Sequence, residues 1–425
     1  MPDDGAWIRR RMRVDQDTYE RVVLVVIDEF FIRADGHVSN ARLTREFEKS
    51  NEAHEKRVAA SPDTVKKLIS LGFNVIVEKD AGAKSQISDH QFEEAGASIA
   101  VDAASAYSAG DIIFKVQRPL MADEGNIDEL SMIKDGSILI SMIDPMRNPD
   151  HIKAYADKNI SAFAMEFMPR ITRAQSMDVL SSQSNLAGYN AVIDAASEFG
   201  RAFPMMMTAA GTIAPAKVMI MGVGVAGLQA IATAKRLGAV VSATDVRSAA
   251  AEQVESLGGK FIMVETDEEG ETEAGYAKEM SDDYKRRQAE LIAETLKKQD
   301  IAITTALIPG RPAPILITDE MVASMKSGSV IIDLAVEAGG NCTLSRPGEI
   351  VTSDNGVIIV GHLNVASRLA ADASALYAKN LLNFITPLTS EEGGSLDIDW
   401  EDEIITGTLL TKDREVVHER LKGGN

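Results

Sequence analysis

The sequence predicts an α/β protein with two parallel-sheet domains, of which the first is discontinuous. From Ser61 onward, short apolar runs alternate with helical patterns, which is typical of parallel strands joined by helices on both faces of a sheet. In the segment Lys217–Gly227, an apolar run leads into three glycines and then into a helical pattern. That order of strand, glycine turn and helix indicates a Rossmann-like domain, and the first domain has the same layout without the glycines.

The chain divides by pattern into three parts. Residues 1–45 are an extension, a displaced strand or a wrongly assigned start, and the sequence leaves all three open. The first Rossmann-like domain is predicted to combine residues 46–183 with 366–425. The reason is the helical pattern at about 364–385, whose apolar face we expect to pack back onto that domain. Residues 184–365 form the second domain.

The elements of the first domain follow from its helix caps and apolar runs. Ser61 is the expected N-cap of a helix that has Pro62 in its first turn and stops at Gly72. Strands are predicted at 73–78, 111–116, 137–143 and 161–168. The tail after residue 391 is acidic and contains a strand-like piece at Ile404–Leu410.

The second domain begins with a helical pattern at about 184–203, which Pro204 closes. Strands are predicted near 218–223, 240–245, 260–264, 301–306, 329–334 and 357–360. Two loops follow strands on the side of the sheet where ligands bind. Glu265–Glu279 is either a disordered connection or a lid, and Leu307–Pro314 is either a stiff turn or part of a pocket wall.

Gly222, Gly224 and Gly227 have the spacing that a dinucleotide site requires. The first allows a tight turn, the second lets backbone N–H groups approach a pyrophosphate, and the third lets the helix pack closely on the strand. Asp245 ends the next strand, where a carboxylate accepts hydrogen bonds from a ribose diol and repels a 2′-phosphate. NAD(H) is therefore favoured over NADP(H), and Arg247 is the residue that would soften this preference.

Charge and composition exclude several classes of function. The 425 residues carry a formal net charge of −20, and such a surface repels nucleic acid and anionic lipid headgroups. One cysteine, Cys342, and six scattered histidines form no pattern of metal ligands, so no metal site is expected. No apolar run reaches the roughly 18 residues that a membrane helix needs, and no signal-peptide core follows the N-terminal basic patch. We expect a soluble, cytoplasmic protein.

A polar cluster follows the strand predicted at 161–168. Arg170, Gln175 and Asp178 lie where parallel sheets place ligands, and a solvated turn with local ion pairs is the alternative interpretation. The segment 170–189 closely resembles the signature loop of proton-translocating NAD(P) transhydrogenases, in their NAD(H)-binding alpha-1 (domain I) subunit. The glycine fingerprint shares this resemblance, as do three further segments, 275–280, 304–310 and 333–341.

The resemblance implies roles for these residues. Arg170, Gln175 and Asp178 would form the loop that closes over the nicotinamide at the junction with an NADP(H)-binding partner. Gln175 would touch the second nucleotide, and Ser181 the first. The other residues assigned to NAD(H) lie in the fingerprint, the adenosine site, the lid and the pocket wall: Gly222, Gly224, Val225, Gly227, Asp245, Val246, Arg247, Gly275, Tyr276, Met280 and Leu307.

The same resemblance implies a homodimer within a Si-side-specific, proton-translocating transhydrogenase made of separate subunits. Hydride would pass from NADH on this chain to NADP⁺ on an NADP(H)-binding subunit, while a membrane-spanning subunit would translocate protons. The chain would lie on the cytoplasmic face of the inner membrane through these partners, without inserting into lipid.

Two other functions stay open at this point. Alanine dehydrogenase shares the fold, and Arg57 and Lys115 resemble the residues that grip the pyruvate carboxylate in that enzyme. Its reaction needs a positioned acid or base, usually His, yet residues 137–150 contain none and Glu337 stands where the dehydrogenase has Asp. Hydride transfer between two nicotinamides needs only closely held rings and excluded water. The third possibility is an NAD-sensing module without turnover.

Overall fold

A computed structural model describes the strand Val23–Val26 and residues 55–122, 124, 127–265, 280–308 and 310–422. These residues form two compact units. The first contains Val23–Val26, Lys56–Leu180 and the C-terminal segment from Ala370, and the second contains Glu55 and Ser181–Leu369. Each unit has its own parallel sheet with flanking helices, so the predicted fold class, with a discontinuous first domain, is confirmed.

The helices and strands are numbered here in chain order among the described residues. The strands are β1 (Val23–Val26), β2 (Asn74–Glu78), β3 (Ser98–Ala100), β4 (Ile112–Phe114), β5 (Ile138–Ser141), β6 (Ser161–Ala164), β7 (Met206–Thr208), β8 (Gly211–Ile213), β9 (Lys217–Met221), β10 (Val240–Thr244), β11 (Lys260–Phe261), β12 (Ile301–Thr304), β13 (Val330–Asp333), β14 (Ile350–Thr352), β15 (Ile358–Val360), β16 (Thr411–Lys412) and β17 (Glu415–Val416). The α-helices are α1 (Pro62–Ser70), α2 (Asp89–Glu94), α3 (Ala103–Ala109), α4 (Glu129–Met132), α5 (Pro149–Asp157), α6 (Val179–Glu198), α7 (Val225–Arg236), α8 (Ala250–Ser256), α9 (Asp282–Leu296), α10 (Asp319–Ser324), α11 (Ala370–Ile385), α12 (Glu403–Thr408) and α13 (Glu419–Lys422). Short 3₁₀ helices lie at Ala83–Ser85, Met165–Phe167, Thr172–Met177, Val336–Ala338, Val365–Leu369 and Thr386–Leu388.

The two main sheets share one topology. The first has the order β3-β2-β1-β4-β5-β6 and is parallel throughout. The second has the order β11-β10-β9-β12-β13-β15-β14, in which only the last strand runs antiparallel. In this doubly wound order the chain reverses direction between the first and fourth strands of each sheet. Ligands of such sheets bind at that point, beyond the carboxyl ends of the strands.

The central strand of the first sheet comes from the N-terminal part of the chain, whose structure the sequence left open. β1 pairs with β2 on one side and with β4 on the other. Its residues come from the apolar run Val22–Ile27, which is too short for a membrane segment. The poor strand considered at Ser39–Phe47 lies outside the described residues. Within the described part of the chain, no helix is long and apolar enough to cross a membrane.

The helices of the first unit follow their predicted signals closely. Ser61 caps α1 by accepting a hydrogen bond from the backbone N–H of Thr64, and Pro62 occupies the first helical position, as predicted. α11 buries Tyr377 and Phe384 in the core of the first unit, where the Phe384 ring packs edge-on against Phe163. This contact explains the apolar face of the helical pattern at about 364–385.

Three details differ from the sequence prediction. The strand predicted at Ile404–Leu410 is wrong, because Asp402 caps helix α12 there through a 2.7 Å hydrogen bond from the Ile404 N–H. Short apolar runs fit either period, and a cap decided the outcome. The long helix α6 starts and ends five residues before its predicted limits. The strands β3 and β14, three residues each, were not predicted.

Candidate functional site

The glycine turn after β9 has two positions that accept no side chain. Gly222 turns the chain with φ of +99°, and a Cβ at that position would lie 2.6 Å from Thr305 Oγ1. Gly227 lies in the first turn of α7, where a Cβ would lie 1.9 Å from the carbonyl oxygen of Gly222. Strand and helix therefore approach as closely as the sequence pattern predicted.

The space in front of α7 is open. Gly224 is the N-cap residue of this twelve-residue helix, and a Cβ there would meet no atom within 4 Å. Val225 begins the helix and is partly exposed. The N–H groups of a first helical turn carry partial positive charge and attract phosphate. The residues present therefore fit a dinucleotide pyrophosphate at this position.

A close helix contact that was not predicted supports the same turn. A Cβ at Gly188, in the middle of α6, would lie only 2.0 Å from the carbonyl oxygen of Ala226. α6 therefore packs directly on the first turn of α7. The signal in the sequence was a glycine inside a long helical pattern, which lowers helix stability unless close packing requires it.

Asp245 follows β10 and is buried. Its Oδ2 accepts a 2.7 Å hydrogen bond from the backbone N–H of Val223, so the carboxylate also fixes the glycine turn. The Arg247 side chain donates to both carboxylate oxygens, from Nε at 2.9 Å and from Nη2 at 2.8 Å. Burial alone would raise the pKa of Asp245, but the hydrogen bonds from Arg247 and Val223 outweigh it and lower that pKa. Asp245 is therefore ionised at neutral pH and paired with Arg247.

Val246 and Met280 lie in one small apolar cluster of the second unit. Met280 is buried there with Val264 and Tyr284, and Val246 packs against them. The predicted lid therefore has a buried anchor at its C-terminal end. Gly275 and Tyr276, with most of the loop Glu265–Glu279, lie outside the described residues.

The loop after β12 carries Leu307, which is half exposed. Asn341 holds this loop: its Oδ1 accepts the N–H of Ala306 at 3.0 Å, and its Nδ2 donates to the carbonyl oxygens of Ala306 (2.9 Å) and Pro314 (2.7 Å). Asp333 in turn accepts the Asn341 N–H at 2.8 Å. Asn341 had no predicted role, although it ends one of the segments that carry the resemblance.

The predicted catalytic residues lie in the first unit, in and around the 3₁₀ helix Thr172–Met177. Arg170 and Gln175 are exposed and Asp178 is half-buried. Ser181 lies in the first turn of α6 and belongs to the second unit, as do the fingerprint residues. The structure thus brings Arg170, Gln175 and Asp178 together on one segment, and it brings Gly222, Asp245, Arg247 and Leu307 to the carboxyl edge of the second sheet.

The residues expected to grip a carboxylate in alanine dehydrogenase have other surroundings here. Lys115 is fully buried, and its Nζ donates to Glu129 Oε1 at 2.9 Å. Glu129 also accepts from Tyr107 Oη at 2.8 Å and from the Leu120 N–H at 2.7 Å. A substrate carboxylate would therefore compete with a fully hydrogen-bonded Glu129 for the charge of Lys115. His151, which follows the stretch searched for an acid or base, lies 3.6 Å from Glu124.

Comparison with known proteins agrees with this geometry. The family described as Alanine dehydrogenase/PNT matches twice, its N-terminal domain over residues 46–187 and its C-terminal domain over residues 191–419. An NAD(P) transhydrogenase alpha subunit of Rhodospirillum rubrum, the first of the polypeptides that make up alpha there, is 61% identical over 371 residues. The match covers 87% of this chain and 96% of that protein.

Two further relatives bracket the family. A transhydrogenase crystal structure from Sinorhizobium meliloti superimposes with a TM-score of 0.78 at 51% identity, covering 93% of this chain and 100% of that one. Alanine dehydrogenase of Bacillus subtilis is 30% identical over 295 residues, covering 68% of this chain and 69% of that protein. The chain therefore belongs to the alanine dehydrogenase/PNT family, and within it to the transhydrogenase alpha subunits.

Proposed function

We propose that this chain binds NADH in its second unit and presents it for hydride transfer to NADP⁺ on a separate NADP(H)-binding subunit. A membrane-spanning subunit would couple the transfer to proton translocation, with Si-side specificity, and would hold this chain at the cytoplasmic face of the inner membrane. The observation that carries the proposal is the ionised Asp245 beside the open glycine turn. Bound NADH supplies the hydride, and the chain supplies its position.

Selectivity for NAD(H) on this chain follows from charge. A 2′-phosphate placed at Asp245 would meet a carboxylate whose pKa is lowered by its hydrogen bonds. A ribose diol instead donates hydrogen bonds to the carboxylate, joining or displacing the Arg247 guanidinium that now bonds to both oxygens. Because this site rejects NADP(H), the second coenzyme needs another polypeptide, as the resemblance implies.

The polar loop of the first unit supports transfer between coenzymes. Arg170, Gln175 and Asp178 supply hydrogen bonds and charge but no group that exchanges protons readily at neutral pH. Hydride transfer between two nicotinamides requires position and exclusion of water, not an acid or base. We assign Ser181, Val225, Val246, Gly275, Tyr276, Met280 and Leu307 to the walls and lid of the NADH site.

The deciding experiment is stopped-flow mixing of this chain, loaded with NADH, with an NADP(H)-binding transhydrogenase subunit carrying NADP⁺ or an analogue. We expect a single-turnover burst of hydride transfer. A parallel assay offers NADH, pyruvate and ammonia to the chain alone. Rapid NADH oxidation there, without transfer in the first assay, would identify an alanine dehydrogenase. NADH binding with neither reaction would identify a sensor.

Asp245→Asn tests the ribose assignment while leaving an oxygen that can still accept a backbone N–H. We expect NADH affinity to fall about 10- to 150-fold, since the lost charge-assisted hydrogen bond contributes about 1.5–3 kcal/mol. Isothermal titration calorimetry measures the change, with the exposed Asp354→Asn as the matched control. Equal NADH affinity of Asp245→Asn and the wild type would place the ribose elsewhere.

We also propose that the chain is a homodimer. The antiparallel hairpin β7–β8 exposes all of its residues, among them Met206, Met207 and Ile213. An isolated two-stranded hairpin is marginally stable in water, so an apolar hairpin of this kind needs a covering surface. A second copy of the chain supplies that surface in the resemblance, and the exposed methionines suit an adaptable apolar contact.

Met207→Asp tests the dimer, because Met207 is the most exposed of these side chains at 78%. Placing a charge in a covered apolar contact should weaken self-association at least about tenfold, equivalent to about 1.4 kcal/mol. Sedimentation equilibrium measures the dissociation constant. Val101→Asp, at a comparably exposed position of the first unit, is the control and should leave association unchanged. A dimer unaffected by Met207→Asp would remove the hairpin from the interface.

A further inference from the structure

The 3₁₀ helix Thr172–Met177 directs its side chains in three rows. In a 3₁₀ helix residues i and i+3 lie above one another, so six residues form three rows of two. Ala174 and Met177 form a buried row that joins the core of the first unit. Thr172 and Gln175 form an exposed row. The third row contains Arg173 and Ser176, and both of these residues contact the C-terminal segment of the chain.

Arg173 is tied to Asp402, which is 229 residues away in the sequence. Its Nη1 lies 2.7 Å from Asp402 Oδ2, and its Nη2 lies 2.9 Å from Oδ1, which is a two-point fork. The side-chain hydrogen bond from Arg173 holds the pKa of Asp402 below its usual range. Asp402 also caps α12 through the Ile404 N–H, so its carboxylate is fixed independently of Arg173. The arginine is therefore held by an acceptor that is already in place.

Ser176 is held through its backbone. Its carbonyl oxygen accepts one hydrogen bond from Asn380 Nδ2 at 2.9 Å and another from Asn383 Nδ2 at 3.0 Å. The two asparagines are three residues apart on α11, so they lie on one face of that helix. Asn380 is buried, which fixes its rotamer. Both lone pairs of one carbonyl oxygen are used by this rigid helix.

Gln175 lies between these two anchors. Arg173 and Ser176 are fixed by the C-terminal segment, and Ala174 and Met177 by the core, which leaves Gln175 as a side chain on a backbone fixed on both sides. We propose that Arg173, Asp402, Asn380 and Asn383 are positioning residues that hold Gln175 for its contact with the second coenzyme. This inference rests on the proposed function. It follows from the steep dependence of transfer on geometry, since a displacement of about 1 Å can slow a reaction about 100-fold.

The test separates placement of the loop from binding of NADH. Asp402→Ser keeps an oxygen that can cap α12 but removes the fork to Arg173, and the Asn380→Ala/Asn383→Ala double variant frees the Ser176 carbonyl. For both variants we expect NADH affinity within about twofold of wild type, because the fingerprint is untouched, and single-turnover transfer slowed about 10- to 100-fold. Arg173→Lys keeps the charge without the fork and should fall in between. Arg414→Ala, which removes an exposed arginine of the same unit, is the control and should transfer at the wild-type rate.

The outcomes distinguish this inference from the proposed function. Wild-type protein that binds NADH but gives no transfer burst with the NADP(H)-binding subunit would overturn the proposed function, and the inference with it. A normal burst from the wild type and from both loop variants would overturn the inference alone. It would also be overturned if transfer and NADH affinity fell together, in proportion to a loss of folded protein measured by thermal unfolding, because the contacts would then be only structural.

Discussion

Replacing Gly227 with alanine is expected to abolish NADH binding and to destabilise the second unit. The added Cβ would lie 1.9 Å from the carbonyl oxygen of Gly222, well inside van der Waals contact, and the opposing atom is backbone. Helix α7 must therefore move away from β9, which breaks the turn that faces the pyrophosphate. We expect a loss of more than about 100-fold in affinity, or about 3 kcal/mol, together with a destabilisation of about 1–3 kcal/mol.

Gly224→Ala is the matched partner of this variant, because the two glycines do different work in the same turn. A Cβ at Gly224 would meet no protein atom within 4 Å, so we expect thermal stability close to that of wild type. The added methyl group would instead occupy the space reserved for the pyrophosphate, so NADH affinity should still fall. Calorimetry for binding and thermal unfolding for stability measure both effects. If Gly224→Ala bound NADH as tightly as wild type, the pyrophosphate would not lie over this residue.

These two glycines also show why the fingerprint could be predicted from sequence. The spacing of Gly222 and Gly227 imposes a steric relation within six residues, so local pattern and local structure carry the same information. Asp245 was likewise placed correctly after its strand. Its pairing with Arg247 was not predicted, because an acid and a base two residues apart meet only if the turn between them directs both side chains to one side.

Other parts of the site depend on contacts that no local pattern contains. The fork between Arg173 and Asp402 joins residues 229 positions apart, and Asn341 reaches Ala306 across 35. β1 was left open because an apolar run of a few residues becomes a central strand only when β2 and β4 pair with it on both sides. The wrong strand at Ile404–Leu410 has the same origin, since the cap from Asp402 and its fork with Arg173 favour a helix there. Long-range contacts thus decided the elements that local propensity left undecided.

Glu166 is the group whose charge state should change near neutral pH. It follows β6, and its Oε1 accepts the backbone N–H of Ile143 at 2.8 Å and also that of Asp144, whose φ is +50°. Oε2 is enclosed and has no hydrogen-bond partner among the described residues. Burial raises the pKa of Glu166 to about 7, against the opposing effect of the hydrogen bonds from the backbone. Tyr155, also enclosed at its hydroxyl, has its pKa raised mainly by burial, with a contribution from Glu166.

This raised pKa makes the stability of the first unit depend on pH in a defined direction. The folded state keeps its proton up to about pH 7, whereas the unfolded chain releases it near the ordinary value of 4.5. The favourable contribution is therefore complete below about pH 4.5 and is lost as the pH rises through 7. The difference corresponds to about 3 kcal/mol, because one pKa unit is about 1.4 kcal/mol. Above pH 7, wild-type protein holds an enclosed carboxylate that lacks a donor at Oε2.

Glu166→Gln should remove this dependence, because the amide keeps an oxygen for the Ile143 and Asp144 N–H groups and cannot ionise. We expect the variant to be more stable than wild type at pH 8, by up to about 3 kcal/mol, and to differ little at pH 5. Since two units need not unfold in one step, hydrogen exchange of the peptide that contains Ile143 is the suitable probe. Rates are compared between the two proteins at the same pH, and Glu391→Gln, on the surface of the same unit, is the control. A difference between Glu166→Gln and wild type that is equal at pH 5 and pH 8 would mean that Glu166 does not titrate in this range.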